Sequence, residues 1–380
     1  MEFFGTISID AYVTTLSMAH RAILRSLRST APRLAAAPSR VIQRSFADKI
    51  VRQEGAKVFV CCKIPQPGLD VLTEAGIPFD LRDEEQSCTA SELQEHVQGK
   101  GYEAILCTLN DKIDDALLDA AGDNLKVVST MSVGFDHVSR PAIISRGLKL
   151  GNTPEVLTET TAELCLTLLL ATARRIPEAV DAVKNAEWGS WVPLWMCGQD
   201  LHGSTVGIPG CGRIGKAFAR RLIGFDCKEV LYNDPYRLPE EEEKALNLKF
   251  VSMDELLEKS DFVAPHCPLL PETEKMFNAE MFKKMKKTAI FINTTRGPVV
   301  DQDALVDALK SGEILAAGLD VTVPEPLPPS HPLVQLDNCV VVPHIASATV
   351  KTRGDMSRLA GENTVAALKG LPMPREVVLK

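Results

Sequence analysis

The sequence predicts an α/β chain: a doubly wound parallel sheet preceded by a second, smaller α/β unit. Three observations carry this. Short apolar runs bounded by turn residues alternate with helix-like text in both halves, the pattern of parallel βαβ units. A nearly all-apolar helical stretch, residues 155–175, stands at the junction between the halves. A glycine-rich turn, Gly210-Cys211-Gly212-Arg213-Ile214-Gly215, follows a strand-like run and opens a helix-like one.

Along the chain, Lys57-Val58-Phe59-Val60-Cys61-Cys62 is the first apolar run, and Pro65 and Pro67 break it. It reads as a buried strand and loop. Leu69 to Ala75 reads as helix, and Glu103 to Cys107 and Leu125 to Ser129 as further strands. In the 155–175 stretch Thr158 or Thr160 can cap, and Leu164, Leu166 and Leu168 to Leu170 leave few polar faces. A helix apolar on most sides is expected to be buried. Beyond it six strands are expected: Ser204–Ile208, Val230–Tyr232, Phe262–Ala264, Ala289–Ile292, Ala316–Leu319 and Cys339–Val342, the last ended by Pro343. A final helix, Thr349 to Leu368, has few sequence neighbours to pack on and is expected to return to the first half. The folded part is expected to begin near Lys57. One domain is expected over 57–154, completed by about 347–380, and a second over 155–346.

The chain has 380 residues, enough for two ordinary domains. Its 45% hydrophobic and 24% charged content is that of a globular chain. The longest apolar run, Leu164 to Ala171, is far short of the ~20 residues a membrane span needs. Lys+Arg 42 against Asp+Glu 50 leaves a net −8, which speaks against nucleic-acid binding. No membrane and no nucleic-acid partner is expected. Ten cysteines are scattered without a C-x-x-C pair or zinc-finger spacing, so reduced thiols and no metal site are expected.

The first 46 residues differ in kind. They hold six arginines, no lysine, and only Glu2 and Asp10 as acids. Arg21, Arg25 and Arg28 recur at helical spacing, with Ile23, Leu24 and Leu27 facing elsewhere. A basic, acid-poor amphipathic segment reads as a targeting peptide for the mitochondrial matrix. Arg44-Ser45-Phe46-Ala47 resembles a cleavage site after Phe46, and Met18 is an alternative start. The other reading is a disordered arm on a cytoplasmic protein.

Gly210 to Gly215 matches G-x-G-x-x-G in its confirming strand–turn–helix context. Gly210 allows the tight turn, Gly212 lets backbone N–H groups approach a pyrophosphate, and Gly215 lets helix and strand pack closely. The helix N-terminus adds partial positive charge. Pro209 is tolerable only at a strand end. Asp234, 19 residues past Gly215 and closing the next strand, can bond ribose hydroxyls and repel a 2′-phosphate. That favours NAD(H) over NADP(H), although the nearby Arg237 could accept the phosphate.

Among seven histidines, His344 stands directly after a strand, at the carboxyl end where open α/β sheets gather ligands. Arg296 follows Phe291-Ile292-Asn293, and Glu325 follows Leu319-Asp320-Val321 in a proline-rich loop. Their chemistry is complementary. Arg296 offers a planar fork for a carboxylate. Protonated His344 can donate to a carbonyl oxygen as hydride reaches its carbon. Glu325 would orient the imidazole and favour its charged form. The combination suits reversible hydride transfer to a 2-oxo acid, with the redox chemistry carried by the cofactor.

Gly210–Gly215, Asn293-Thr294-Thr295-Arg296-Gly297, Gly318-Leu319-Asp320-Val321 with Glu325-Pro326, and Pro343-His344-Ile345-Ala346-Ser347 resemble the D-2-hydroxyacid dehydrogenase family in order and spacing. The resemblance covers about 57–378. Met131-Ser132-Val133-Gly134-Phe135-Asp136-His137 and Trp188 to Leu201 look most like its glyoxylate reductase/hydroxypyruvate reductase branch. It implies a Rossmann-type cofactor domain beside a flavodoxin-like substrate domain. It implies Arg296 for substrate carboxylate and carbonyl, His344 for acid–base work, and Glu325 as its partner. It implies that the Val133-Gly134 backbone helps hold the carboxylate, with Ser347 nearby, and that Gly212 to Ile214 hold the pyrophosphate. Thr158, Pro268, Thr294, Asp320 and Ala346 fall where the family lines the cofactor cleft. The branch often carries a basic residue just past the second strand and prefers NADPH; here Asp234-Pro235 stands there. Pro209 replaces a usual aliphatic residue, and Ala346 a common glycine.

Trp188, Trp191 and Trp195 fall within eight residues. Clustered tryptophan is common at interfaces. The expectation is a homodimer in which Trp191 borders the partner's substrate pocket and restricts substrate size. Two other readings compete. A formate dehydrogenase-like enzyme tends to lack Glu as the histidine partner, so Glu325 argues against it. An NAD-binding, corepressor-like sensor module is disfavoured by the targeting-like N-terminus.

Overall fold

A computed structural model describes residues 50–379. The expected targeting peptide, residues 1–46, lies outside them.

Two sheets carry the fold. The first contains β1 (Ile50–Val51), β2 (Val58–Val60), β3 (Phe79–Arg82), β4 (Ala104–Cys107), β5 (Val127–Thr130) and β6 (Lys149–Gly151), in the order β1-β3-β2-β4-β5-β6. Only β1 runs antiparallel, against β3. The five parallel strands reproduce the 2-1-3-4-5 order of flavodoxin-like sheets. The second sheet contains β7 (Thr205–Pro209), β8 (Glu229–Asn233), β9 (Leu248–Phe250), β10 (Phe262–Val263), β11 (Ile290–Asn293), β12 (Ala316–Leu319) and β13 (Cys339–Val341), in the order β13-β12-β11-β10-β7-β8-β9. The order reverses between β7 and β10, the switch point where open sheets of this kind bind ligands. The α/β class and both sheet types are those expected.

Strand interiors explain themselves. Val58–Val60, Ala104–Cys107 and Ile290–Asn293 are buried along their whole length, as expected for parallel strands covered on both faces. Pro209 closes β7, where its missing N–H costs least.

Several expectations need correction. The first sheet begins at Ile50, not near Lys57, because β1 pairs with β3. Strands β3, β6 and β9 add to those expected. The junction helix is shorter, Thr158–Ala173, and neither threonine caps it: its N-cap is Leu157, without a side-chain hydrogen bond. Thr160 instead meets Thr352, Oγ1 to Oγ1, at 2.6 Å. Burial of this helix is as expected, with Leu168, Leu169 and Cys165 in the core around β7, β10 and β11.

The Val350–Leu368 helix, capped by Thr349, does return to the first sheet. Met356, Ala360 and Ala367 join the core of Val58, Val60 and Leu106. It crosses the Gln66–Glu74 helix at close range. Ser357 Oγ accepts the Gly68 N–H at 3.0 Å, and a Cβ on Gly361 would come within 2.8 Å of the Gly68 carbonyl oxygen. Ser129 Oγ donates to the Ala360 carbonyl.

Candidate active site

A cavity of about 780 Å³ opens between the two sheets. Val133, Gly134 and Asp136 line it from the loop after β5. Arg213, Pro268, Thr294, Arg296 and His344 line it from the carboxyl ends of the second sheet.

Arg296 is placed by the chain just before it. Asn293, ending β11, accepts the Thr295 N–H and hydroxyl and donates its side-chain amide to the Arg296 carbonyl. This Asx turn bends the chain out of the strand. The guanidinium then reaches across the cavity: Nε donates to Asp136 Oδ1 at 3.1 Å, and Nη1 to the Thr295 carbonyl at 2.9 Å. Gly134 is the floor beneath it, since any Cβ there would collide with the guanidinium. Burial would raise the Asp136 carboxyl, but the Arg296 charge and hydrogen bond outweigh this and hold it below its ordinary range.

His344 follows β13 and Pro343 with a left-handed φ of 52°. Its Nδ1 faces Glu325 Oε2 at 2.8 Å, so Nε2 is the nitrogen left to face the cavity. Glu325 Oε1 accepts the Thr322 N–H at 3.0 Å. Burial alone would raise the Glu325 carboxyl; the hydrogen bond and charge of His344, the Thr322 N–H and the Arg296 charge together hold it below the usual carboxylate range. Glu325 does not line the cavity and acts from behind the imidazole.

The glycine turn sits at the switch point. Gly210 has φ +85°, and a Cβ there would lie 2.7 Å from the Cys267 nitrogen, just past β10. A Cβ on Gly215 would lie 2.5 Å from the Gly210 carbonyl oxygen. Gly212 differs: it is exposed at the N-cap of the Arg213–Leu222 helix, and nothing in the chain approaches its missing Cβ within 4 Å. The chain alone gives no reason for glycine at 212, whereas a pyrophosphate drawn against the helix N-terminus does. The residues present fit a nicotinamide dinucleotide. Cys211 packs beneath the turn and is buried. Its N–H donates to Asp234 Oδ2 at 2.8 Å, tying the end of β8 to the loop.

Of the remaining expected residues, Thr158, Arg213, Ile214, Pro268, Thr294, Ala346 and Ser347 line the cavity, as do Val133 and Gly134. Asp320, like Gly210, Cys211, Gly212, Gly215 and Asp234, is not among the lining residues. Its side chain is buried and turned onto the backbone, accepting the N–H groups of Ile345 at 2.6 Å and Ala346 at 3.0 Å. Burial pushes this carboxyl up to about 6, against those hydrogen bonds and the His344 charge. Trp191 is 83% exposed and outside this chain's own cavity.

Sequence reasoning missed two residues. Asp136 stood inside the quoted Met131–His137 stretch, but its pairing with Arg296 spans 160 positions and has no local signal. His266 lines the cavity near the Cys165 sulfur and meets the Phe218 ring at a tilt, centroids 5.1 Å apart; burial pushes it down to about 3, so it is neutral.

Similarity to known proteins agrees with this geometry. Residues 166–346 match the D-isomer specific 2-hydroxyacid dehydrogenase, NAD binding domain family. Glyoxylate reductase/hydroxypyruvate reductase of Homo sapiens is 52% identical over 324 residues, 85% of this chain and 98% of its own. Glyoxylate reductase of Thermofilum pendens is 47% identical over 325 residues, covering 85% and 94%. Among solved structures, an NADPH-dependent glyoxylate/hydroxypyruvate reductase of Sinorhizobium meliloti in complex with citrate superposes with a TM-score of 0.72 at 31% identity, covering 85% of this chain and 98% of that one. A D-lactate dehydrogenase of Aquifex aeolicus complexed with NAD and lactic acid gives 0.72 at 28% identity, covering 82% and 96%. With the Arg296, Glu325 and His344 constellation beside a dinucleotide turn, these similarities show that the chain belongs to the D-2-hydroxyacid dehydrogenase family, in its glyoxylate reductase/hydroxypyruvate reductase branch.

Proposed function

We propose that this enzyme reduces small 2-oxo acids, glyoxylate to glycolate and hydroxypyruvate to D-glycerate, with a nicotinamide cofactor. The observation that carries the reading is one cavity bearing both the Arg296 guanidinium and the Glu325-backed His344 imidazole, next to the Gly210–Gly215 turn. Arg296 takes the substrate carboxylate in its planar fork, relinquishing part of its hold on Asp136. His344 gives its Nε2 proton to the carbonyl oxygen, and Glu325 steadies the imidazolium that donates it. When bound, reduced nicotinamide supplies the hydride.

Three finer statements belong to the same reading. Asp234 places negative charge where a 2′-phosphate would sit, which supports NAD(H) as the preferred cofactor. Trp188, Trp191 and Leu194 are exposed on one short segment, and Val180 and Val183 are exposed on the helix that precedes it in the chain; large apolar side chains left in water suit a second copy of this chain and hence a homodimer. The composition of residues 1–46 supports delivery to the mitochondrial matrix.

One assay tests the core: initial rates with glyoxylate and hydroxypyruvate, each against NADH and NADPH. Turnover of at least one acid, higher with NADH, is expected. No turnover of either acid with either cofactor would overturn the function, and higher rates with NADPH would overturn only the cofactor preference. Fusing residues 1–46 to a fluorescent protein tests delivery; diffuse cytosolic fluorescence would refute it.

A further inference from the structure

Arg237 is the cation best placed by sequence to accept a 2′-phosphate, three residues beyond Asp234. It is already engaged. Its Nε donates to Glu243 Oε1 at 2.9 Å and its Nη2 to Oε2 at 3.0 Å, a two-pronged fork on one carboxylate. The guanidinium also lies 5.5 Å from the centre of the Phe250 ring. Glu243 is fixed from the other side: Tyr232 donates its hydroxyl to Oε1 at 2.6 Å, and that hydroxyl in turn accepts the Leu238 N–H at 2.9 Å. Glu243 is buried while Arg237 is mostly exposed, so the arginine is the mobile partner and the glutamate its fixed anchor. Lys216, on the helix that opens at the glycine turn, is likewise tied, to Glu242 at 2.9 Å.

We propose that Glu243 is a cofactor-specificity residue: by claiming both prongs of Arg237, it denies the 2′-phosphate of NADP(H) its cationic partner and so reinforces the repulsion from Asp234. An arginine fork satisfied by one carboxylate cannot also receive a phosphate without giving up those bonds, and the negative charge of Glu243 stays beside whatever anion arrives. The inference rests on the NAD(H) preference proposed above and adds to it a residue that lies outside the cavity and outside the family motifs quoted from the sequence.

The test measures binding by calorimetry to the full chain, with adenosine 2′,5′-bisphosphate and adenosine 5′-monophosphate as probes. Wild type is expected to bind the bisphosphate no more tightly than the monophosphate; the reverse would overturn the NAD(H) reading itself. Glu243→Gln frees Arg237 and keeps an acceptor for Tyr232. It is expected to tighten bisphosphate binding about tenfold, the size of one charge-assisted bond, with monophosphate binding unchanged. Adding Arg237→Gln to it should remove the gain. Unchanged bisphosphate affinity in Glu243→Gln, with wild type still preferring the monophosphate, would overturn the role of Glu243 alone. Arg237→Gln by itself does not depend on Glu243→Gln folding: bisphosphate affinity is expected to stay at the wild-type value, and a several-fold fall would show Arg237 free to serve the phosphate and sink the proposal.

Discussion

The main-chain N–H of His344 donates to the main-chain carbonyl of Asp320 at 2.9 Å, and the Asp320 carboxylate takes the next two N–H groups in the chain. One residue thus fixes three successive peptide groups around a histidine in a left-handed conformation that costs backbone energy. Asp320→Asn can accept at one atom only and sets an amide donor against the other N–H. We expect kcat to fall roughly 10–100-fold, the equivalent of one charge-assisted bond, with nucleotide affinity unchanged. Wild-type kcat would show that the turn holds His344 without this carboxylate. Because the folded Asp320 carboxyl titrates near 6 rather than 3.8, the folded state binds its proton more tightly. Its contribution to stability is therefore full below about pH 4 and lost as pH rises through about 6. The melting temperature of Asp320→Asn should lack that decline.

Glu325→Gln separates orientation from charge at His344. The amide can still meet Nδ1, but the negative charge that favours the imidazolium is gone. Reduction needs His344 to give up a proton from an imidazolium that the carboxylate steadies, so kcat should fall about 10²-fold. A wild-type kcat would remove Glu325 from this role.

Gly134→Ala tests the seat of Arg296. The added methyl group would occupy space now filled by the guanidinium, which must then shift away from Asp136. KM for the 2-oxo acid should rise at least tenfold, since one misplaced charge-assisted contact is worth about 1.5 kcal/mol. Nucleotide binding, measured separately, should not change. An unaltered KM would mean the carboxylate is held elsewhere.

Trp191→Ala addresses the second copy. If Trp191 borders the neighbouring pocket, its loss should widen tolerance toward bulkier 2-oxo acids while glyoxylate turnover changes little. An identical substrate profile, with sedimentation showing an intact dimer, would confine Trp191 to packing.

Features that repeat or sit next to each other in the chain could be read directly from it. The glycine turn, the apolar runs of β7, β10 and β11, and the placement of Arg296, Glu325 and His344 after strands all carry local signals. Strand β3 carries the opposite one: Phe79-Asp80-Leu81-Arg82 alternates apolar with charged residues, yet all four are buried. Asp80 is tolerated there because the Tyr102 hydroxyl donates to it at 2.6 Å and the Gln53 N–H at 2.9 Å, partners that only the fold supplies. Strands β6 and β9 are three residues each, too short to show a period. The inward turn of Asp320, away from the cavity, depends on where β12 and β13 lie side by side, which residue spacing does not reveal.

The docking of the Val350–Leu368 helix has a consequence for how the chain is made. Its Met356 and Ala360, with Met373 beyond it, belong to the same apolar core as Val58 and Val60 near the start of the described chain. On the ribosome, strands of the second sheet emerge and can pair while the first sheet still lacks its last covering helix. The first of the described strands are therefore among the last to be fully sealed from water, and a nascent chain halted before residue 350 would leave their core open to chaperones and proteases where Met356 and Ala360 belong.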